Sequence, residues 1–144
     1  MKVDGGIGLS PKIRETGAQA AAQEAAGYDG LWTAETSHDP FLPLVLAAEH
    51  TSTVELGTSI AVAFARNPMT LANTAWDLQA LSEGRFILGL GSQIKPHITK
   101  RFSMEWSRPA ARMREMSWPC APYGIVGSTG RGWSSGATST PTRS

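Results

Sequence analysis

ELGTSIAVAFARNPMTLANTAWDLQALSEGRFILGLGSQ, residues 55–93, is the stretch whose reading decides the fold. Leu56 to Ala63 is short, apolar and partly β-branched, the pattern of a strand buried on both faces. Asn67-Pro68 stops it and opens a helix, with proline at or near the first helical position. Leu71, Ala72, Ala75, Trp76 and Leu78 recur at helical spacing and predict the face turned to a sheet. Gly84 ends that helix. Phe86 to Leu90 is the next apolar strand, and Gly89, Gly91 and Ser92 leave its carboxyl end bare. The three elements make a βαβ unit with parallel strands. Ligands of parallel α/β proteins bind where the carboxyl ends of strands open into loops. Ser59 to Arg66 and Gly91 to Gln93 therefore share one candidate functional face.

The flanking sequence repeats the unit. Lys2 to Gly8 reads as a first strand with a glycine-rich exit. Ser10 caps a helix with Pro11 at its first position, and the helix runs to about Ala26, where Gly27 stops it. Ile13, Gly17, Ala20, Ala21, Glu24 and Ala25 predict a small-residue face against the sheet. Asp29 to Ala34 is the second strand, and its end carries Glu35, Thr36, Ser37, His38 and Asp39. Pro40 and Pro43 bracket the start of a helix from Leu42 to about His50. Strands thus begin near residues 2, 29, 55 and 86. A spacing of roughly 30 residues is that of a (β/α)8 barrel, a fold of about 250 residues. The expectation is an α/β fold: the N-terminal half of a (β/α)8 TIM barrel, about four βα units. An open doubly wound sheet is the alternative. The GGIGLS that follows strand one lacks the GxGxxG spacing, which counts against a dinucleotide-binding open sheet.

Composition narrows the function class. A net charge of +1 gives no reason to expect nucleic acid or an anionic membrane as partner. A single cysteine, Cys120, rules out an internal disulfide and a CxxC metal site. No apolar run approaches the roughly 20 residues of a spanning helix, and MKVDGG is not followed by the apolar stretch of a signal peptide. A soluble cytoplasmic protein that holds no metal and makes no contact with membrane or nucleic acid is the expectation.

Four pieces carry a family resemblance: AAGYDGLWTAETSHDPFLPL, LGTSIAVAFARNPMTLA, LQALSEGRFILGLGSQ and RFSMEWSRPAARMRE. Together they resemble the bacterial-luciferase-like superfamily of flavin- and deazaflavin-dependent oxidoreductases, and most nearly its coenzyme F-420 branch. The likeness covers Met1 to about Glu115. It implies hydride transfer between coenzyme F-420 and a small-molecule organic substrate; an oxygen-using monooxygenase with flavin mononucleotide (FMN) is the alternative. It implies that His38 is catalytic, an acid or base beside the cofactor ring, in keeping with an imidazole pKa near neutrality. Ser59 and Ile60 match the place where such relatives carry a non-proline cis peptide behind the ring. Gly89, Gly91, Ser92 and Gln93 would give the backbone close access to the ring or to ribityl hydroxyls, and small residues equally suit tight strand–helix packing. Where many relatives carry an acidic residue shortly after this glycine pair, Ile94 and Lys95 stand here. The other singled-out residues read as structural: Arg66 as a salt bridge, Asp39 as a helix cap, Trp32, Met69 and Trp76 as core, and Lys95, His97 and Lys100 as a solvated loop.

From Met116 to Ser144 the chain has no Asp, Glu or Lys and is dominated by Ser, Thr, Gly, Pro and Trp. The expectation is a partial barrel domain over residues 1–115 and a disordered tail over 116–144. Read one base out of frame with GC-rich codons, the tail instead yields approximately ALRAIW and then FNGQGLELRGDFY, an amphipathic helix and a loop. A one-base deletion near the Glu115 and Met116 codons is the expectation that follows, and with it a truncated, inactive product. A homodimer that pairs half-barrel edges is the alternative.

Overall fold

The computed structural model describes residues 1–8 and 12–118. The expected Ser10-Pro11 helix start, Cys120 and most of the tail lie outside the described residues. The elements follow in alternation. Strand β1 is Asp4–Gly6, helix α1 Thr16–Ala25, β2 Gly30–Thr33 and α2 Leu42–His50. Then come β3 Glu55–Thr58, β4 Ala61–Val62 and α3 Pro68–Leu81. The last are β5 Phe86–Ile87, β6 Leu90–Gly91 and α4 Pro109–Ser117. Short 3-10 turns occupy Ile13–Glu15 and Ala63–Ala65, and a single π-type turn spans His97–Arg101.

Every strand pairing is parallel. The main sheet has the order β1-β2-β3-β5, and β4 pairs with β6 in a second ladder. Leu31, Leu56 and Phe86 stand side by side in one row, all buried. They meet Ala20, Leu44, Ala47, Leu71, Ala75 and Leu78 from the helices in one core. Burial of that apolar surface is the main force holding helices to sheet. The alternate row carries Trp32, Gly57 and Ile87, and Ile87 is exposed. Helix α1 packs on α2 and α2 on α3, so consecutive helices are neighbours on the same side of the sheet. A doubly wound sheet would divide them between two faces. The expected N-terminal half of a (β/α)8 barrel is the arrangement found.

Local sequence explains the element ends. Asn67 caps α3, its Oδ1 accepting from the N–H of Met69 and Thr70 at 2.9 and 3.3 Å, with Pro68 at the first helical position. Asp39 Oδ1 accepts from the N–H of Phe41 and Leu42 at 2.8 and 3.2 Å at the start of α2, the capping role expected of it. Gly27 has φ +88° after α1 and Gly84 has φ +87° after α3, the left-handed geometry that glycine adopts most easily.

Two strands are shorter than their apolar runs suggest. The run Leu56–Ala63 divides into β3 and β4, and Phe86–Leu90 into β5 and the start of β6. Gly57 pairs with Ile87, but Ala61 pairs with Leu90. Residues 58–60 therefore oppose only residues 88–89, which is a β-bulge. The Ser59-Ile60 peptide in the bulge is cis. The Thr58 hydroxyl bridges the gap, donating to the Gly89 carbonyl at 2.8 Å and accepting from its N–H at 3.0 Å.

Other expectations shift. The buried face of α1 is Thr16, Gly17 and Ala20, whereas Ile13 and Ala25 are exposed. The turn of α1 is set by contact with α2, because a Cβ on Gly17 would lie 2.7 Å from the His50 ring. Met69 is exposed rather than core, since it occupies the outer side of the first turn of α3. Trp32 and Trp76 are half-buried. Helix α4 continues through Met116, which is buried, so regular structure passes the expected boundary at Glu115.

Candidate functional site

Three segments converge at the carboxyl ends of the strands: Ala34–Asp39 after β2, Ser59–Arg66 around β4, and Gly89–Gln93 around β6. Their joining begins in the backbone. Ser59 N–H donates to the Thr33 carbonyl at 2.6 Å, Glu35 N–H to Ile60 at 3.2 Å, and Ala61 N–H to Gly89 at 2.8 Å. The bulge is thus held from both sides, by the His38 loop and by the glycine-rich turn.

The expected site residues take distinct places on this face. His38 is exposed at the outer part of its loop. Ser59 is exposed, and Ile60 is half-buried with its side chain against Gly91. A Cβ on Gly91 would lie 2.7 Å from Ile60 Cδ1, and one on Gly89 would lie 1.8 Å from the Thr58 carbonyl oxygen. Gly89 is therefore required by the backbone packing, and Gly91 leaves room for the Ile60 side chain. Ser92 Oγ donates to the Gln93 carbonyl at 3.2 Å. Gln93 has φ +58° and turns its Oε1 to His97 Nδ1 at 3.2 Å. Ile60 and Gly91 are in direct contact, while the Gln93 side chain is directed to its own loop.

Charge on this face is internally compensated. Glu35 Oε2 accepts from Arg66 Nη1 at 2.6 Å and from Val62 N–H at 2.6 Å. Arg66 Nη2 reaches Asp39 Oδ2 at 3.2 Å, and its guanidinium lies 5.2 Å from the Phe41 ring centre. The Glu35 side chain is only 6% exposed and that of Arg66 19%, so this pair is largely removed from water. The expected structural salt bridge of Arg66 is present. Sequence reading missed Arg101, whose guanidinium donates to the Thr36 carbonyl. A sequence separation of 65 leaves no local signal.

The Ser59 hydroxyl, the His38 imidazole and the open backbone of the bulge offer further donors and acceptors. That donor set fits the hydroxyl-bearing and ring portions of a flavin-type cofactor. Two cavities lie away from these residues. One of about 540 Å³ sits between the starts of α2 and α3, and includes Phe41, Arg66 and Thr70 in its lining. A second of about 380 Å³ lies between Arg66, Asn67 and α4. Neither is lined by His38, Ser59, Ile60, Gly91, Ser92 or Gln93. Among the described residues, no group of three or more His, Cys, Asp or Glu could hold a metal ion, and no helix is long and apolar enough to cross a membrane.

Comparison with known proteins gives this face a context. The model of the luciferase-like monooxygenase family matches residues 1–117. An uncharacterized protein of Mycobacterium tuberculosis is 64% identical over 115 residues, which is 80% of this chain and 33% of that protein. A putative coenzyme F420-dependent oxidoreductase of the same organism is 40% identical over 96 residues, 66% of this chain and 28% of that protein. Among solved structures, the oxygenating constituent of 3,6-diketocamphane monooxygenase from Pseudomonas putida, in complex with FMN, shares the fold. Its TM-score is 0.71 at 19% identity, over 82% of this chain and 38% of that one. The chain spans about a third of the length of the curated relatives it matches.

Proposed function

Because this chain belongs to the luciferase-like monooxygenase family, we propose that it carries the cofactor-facing wall of an F-420-dependent barrel oxidoreductase acting on a small organic substrate. The observation that supports this most is the convergence of His38, the Ser59-Ile60 bulge and the Gly91–Gln93 turn on one sheet end. The 40% identity to a putative F420-dependent oxidoreductase favours F-420; FMN is the second reading, favoured by the fold shared with an FMN-bound monooxygenase.

When bound, either cofactor supplies redox chemistry at its ring. The chain's own residues would orient it and handle a proton. The Ser59-Ile60 backbone backs the ring. Ser92 and the backbone from Gly91 to Gln93 meet its hydroxyls. The His38 imidazole holds or takes a proton beside it. Phosphate sites of such barrels usually form after strands seven and eight, so four units alone hold the cofactor weakly. β1 and β5 are each paired on one side only among the described residues. Activity is therefore assigned to a completed barrel, and pairing with a second copy is the assembly that would complete it from this chain alone.

Titration of the chain with F-420 and with FMN, followed by cofactor fluorescence, tests the reading. The expected result is weak, saturable binding that favours F-420 and is lost in Ser59→Phe, which fills the space before the bulge. Tighter binding of FMN would select the second reading. Failure of both cofactors to saturate would remove the cofactor role from this chain.

A further inference from the structure

His38 lies in a five-residue loop, Glu35 to Asp39, and one side chain holds both ends of it. Arg66 Nη1 contacts Glu35 Oε2 at 2.6 Å, and Arg66 Nη2 contacts Asp39 Oδ2 at 3.2 Å. The same Nη1 donates to the Val62 carbonyl at 3.0 Å, which ties the guanidinium to the strand leaving the bulge. Glu35 also belongs to that strand's ladder, its N–H on the Ile60 carbonyl and its carboxylate on the Val62 N–H. Asp39 fixes the far end by capping α2 with its other oxygen.

We infer that Arg66 is a positioning residue that couples the His38 loop to the Ser59-Ile60 bulge, so that the imidazole and the bulge keep a fixed separation. The inference rests on the proposed role of His38. Its physical basis is the planar fork of arginine, which fixes two acceptors in one geometry. Loop ordering opposes folding; with Arg101 on the Thr36 carbonyl, a clamp on both ends offsets that cost for the intervening Ser37 and His38. A lysine offers a single flexible point charge and cannot hold both carboxylates in one plane. Exposure of His38 beside a buried pair is consistent with this division: the loop's ends are fixed and its tip is left for a ligand.

Proton NMR of the full chain can read this directly, because the chain has three histidines whose imidazole signals can be assigned by His→Gln variants. In Arg66→Met the His38 signals are expected to move to the position of an unstructured histidine, and Val62 amide protection to fall about tenfold. His50, held by the Leu46 carbonyl, and His97 should stay in place. Arg66→Lys should restore less than half of the His38 displacement. Unmoved His38 signals, or equal movement of all three histidines, would overturn the inference. Should Arg66→Met fail to fold, Asp39→Asn releases only the His38 end, because an asparagine oxygen still caps α2. His38 alone should then move, and no movement would again overturn it. If His38→Gln leaves cofactor binding unchanged, the reading of His38 fails while the NMR result stands.

Discussion

Gly89→Ala tests the bulge most directly. The added Cβ would lie 1.8 Å from the Thr58 carbonyl oxygen, so backbone must part by more than an ångström. No rotamer relieves a contact between two main-chain positions. The movement takes apart three hydrogen bonds: Thr58 Oγ to the Gly89 carbonyl at 2.8 Å, Gly89 N–H to Thr58 Oγ at 3.0 Å, and Ala61 N–H to the Gly89 carbonyl at 2.8 Å. At about 1 kcal/mol each, with part of the 1–3 kcal/mol penalty for a buried group left unpaired, the expected loss is about 3–5 kcal/mol. Urea unfolding followed by tryptophan fluorescence reads this as a midpoint lowered by about 2 M, given slopes of about 1–3 kcal/mol per molar. Gly27→Ala is the control. Nothing lies within 4 Å of its Cβ, and only its φ of +88° is unfavourable, so it should lose about 1 kcal/mol. Thr58→Val removes the hydroxyl without the clash and should fall between the two. A Gly89→Ala loss no greater than that of Gly27→Ala would refute the account of why these strands divide.

Glu24 gives a pH-dependent prediction. Burial raises its pKa, but hydrogen bonds from the Thr53 hydroxyl and the amides of Thr53, Val54 and Ser52 outweigh that and hold it at about 2. The folded value lies below the unfolded one, so its contribution is present above pH of about 4.5 and is lost as pH falls towards about 2. Glu24→Gln should flatten the urea midpoint over that window; an unchanged slope would contradict the assignment. Arg85 donates to Thr51 Oγ and the Val54 carbonyl through Nη1, and to the carbonyls of Ala48 and Thr51 through Nη2. Arg85→Met should lose about 2–4 kcal/mol, because it leaves the carbonyls after α2 without donors, and thermal unfolding within a degree of the parent would count against it.

Much of the framework was legible because its causes are local. The Asn67-Pro68 pair, Gly84 and the Asp39-Pro40 step each act within a few residues of themselves, and each appears where the sequence places it. The parallel order followed from strand spacing. The divided strands were harder to read, because the mismatch of residues 58–60 with 88–89 exists only once two distant segments are aligned. Apolar content alone read each segment as one strand. Glu24 reads in sequence as part of the sheet-facing side of α1, and nothing local marks Arg85; their donors and acceptors lie 28 to 37 residues away. The side of α1 that is buried was misread for a related reason: its small residues accommodate α2, not only the sheet. At the candidate site, Gly89 and Gly91 read equally well as cofactor access or tight packing. The contacts with Thr58 and Ile60 account for their lack of side chains without any ligand. His38 and Ser59 are exposed, so nothing within the fold explains why those residue types stand there.

The sheet's spatial order has a consequence for synthesis. Each later strand of the main sheet lies beside one made shortly before it: Gly30 pairs back to Asp4, Glu55 to Gly30 and Phe86 to Leu56. No strand of the main sheet after the first waits on a later one for its first neighbour; β4 alone waits, for β6. A chain emerging from the ribosome can therefore add units outward from its amino end, always onto a surface already built. Interruption at any stage leaves the same kind of growing edge, so the ordered growth that favours assembly also makes every intermediate open to pairing with another chain.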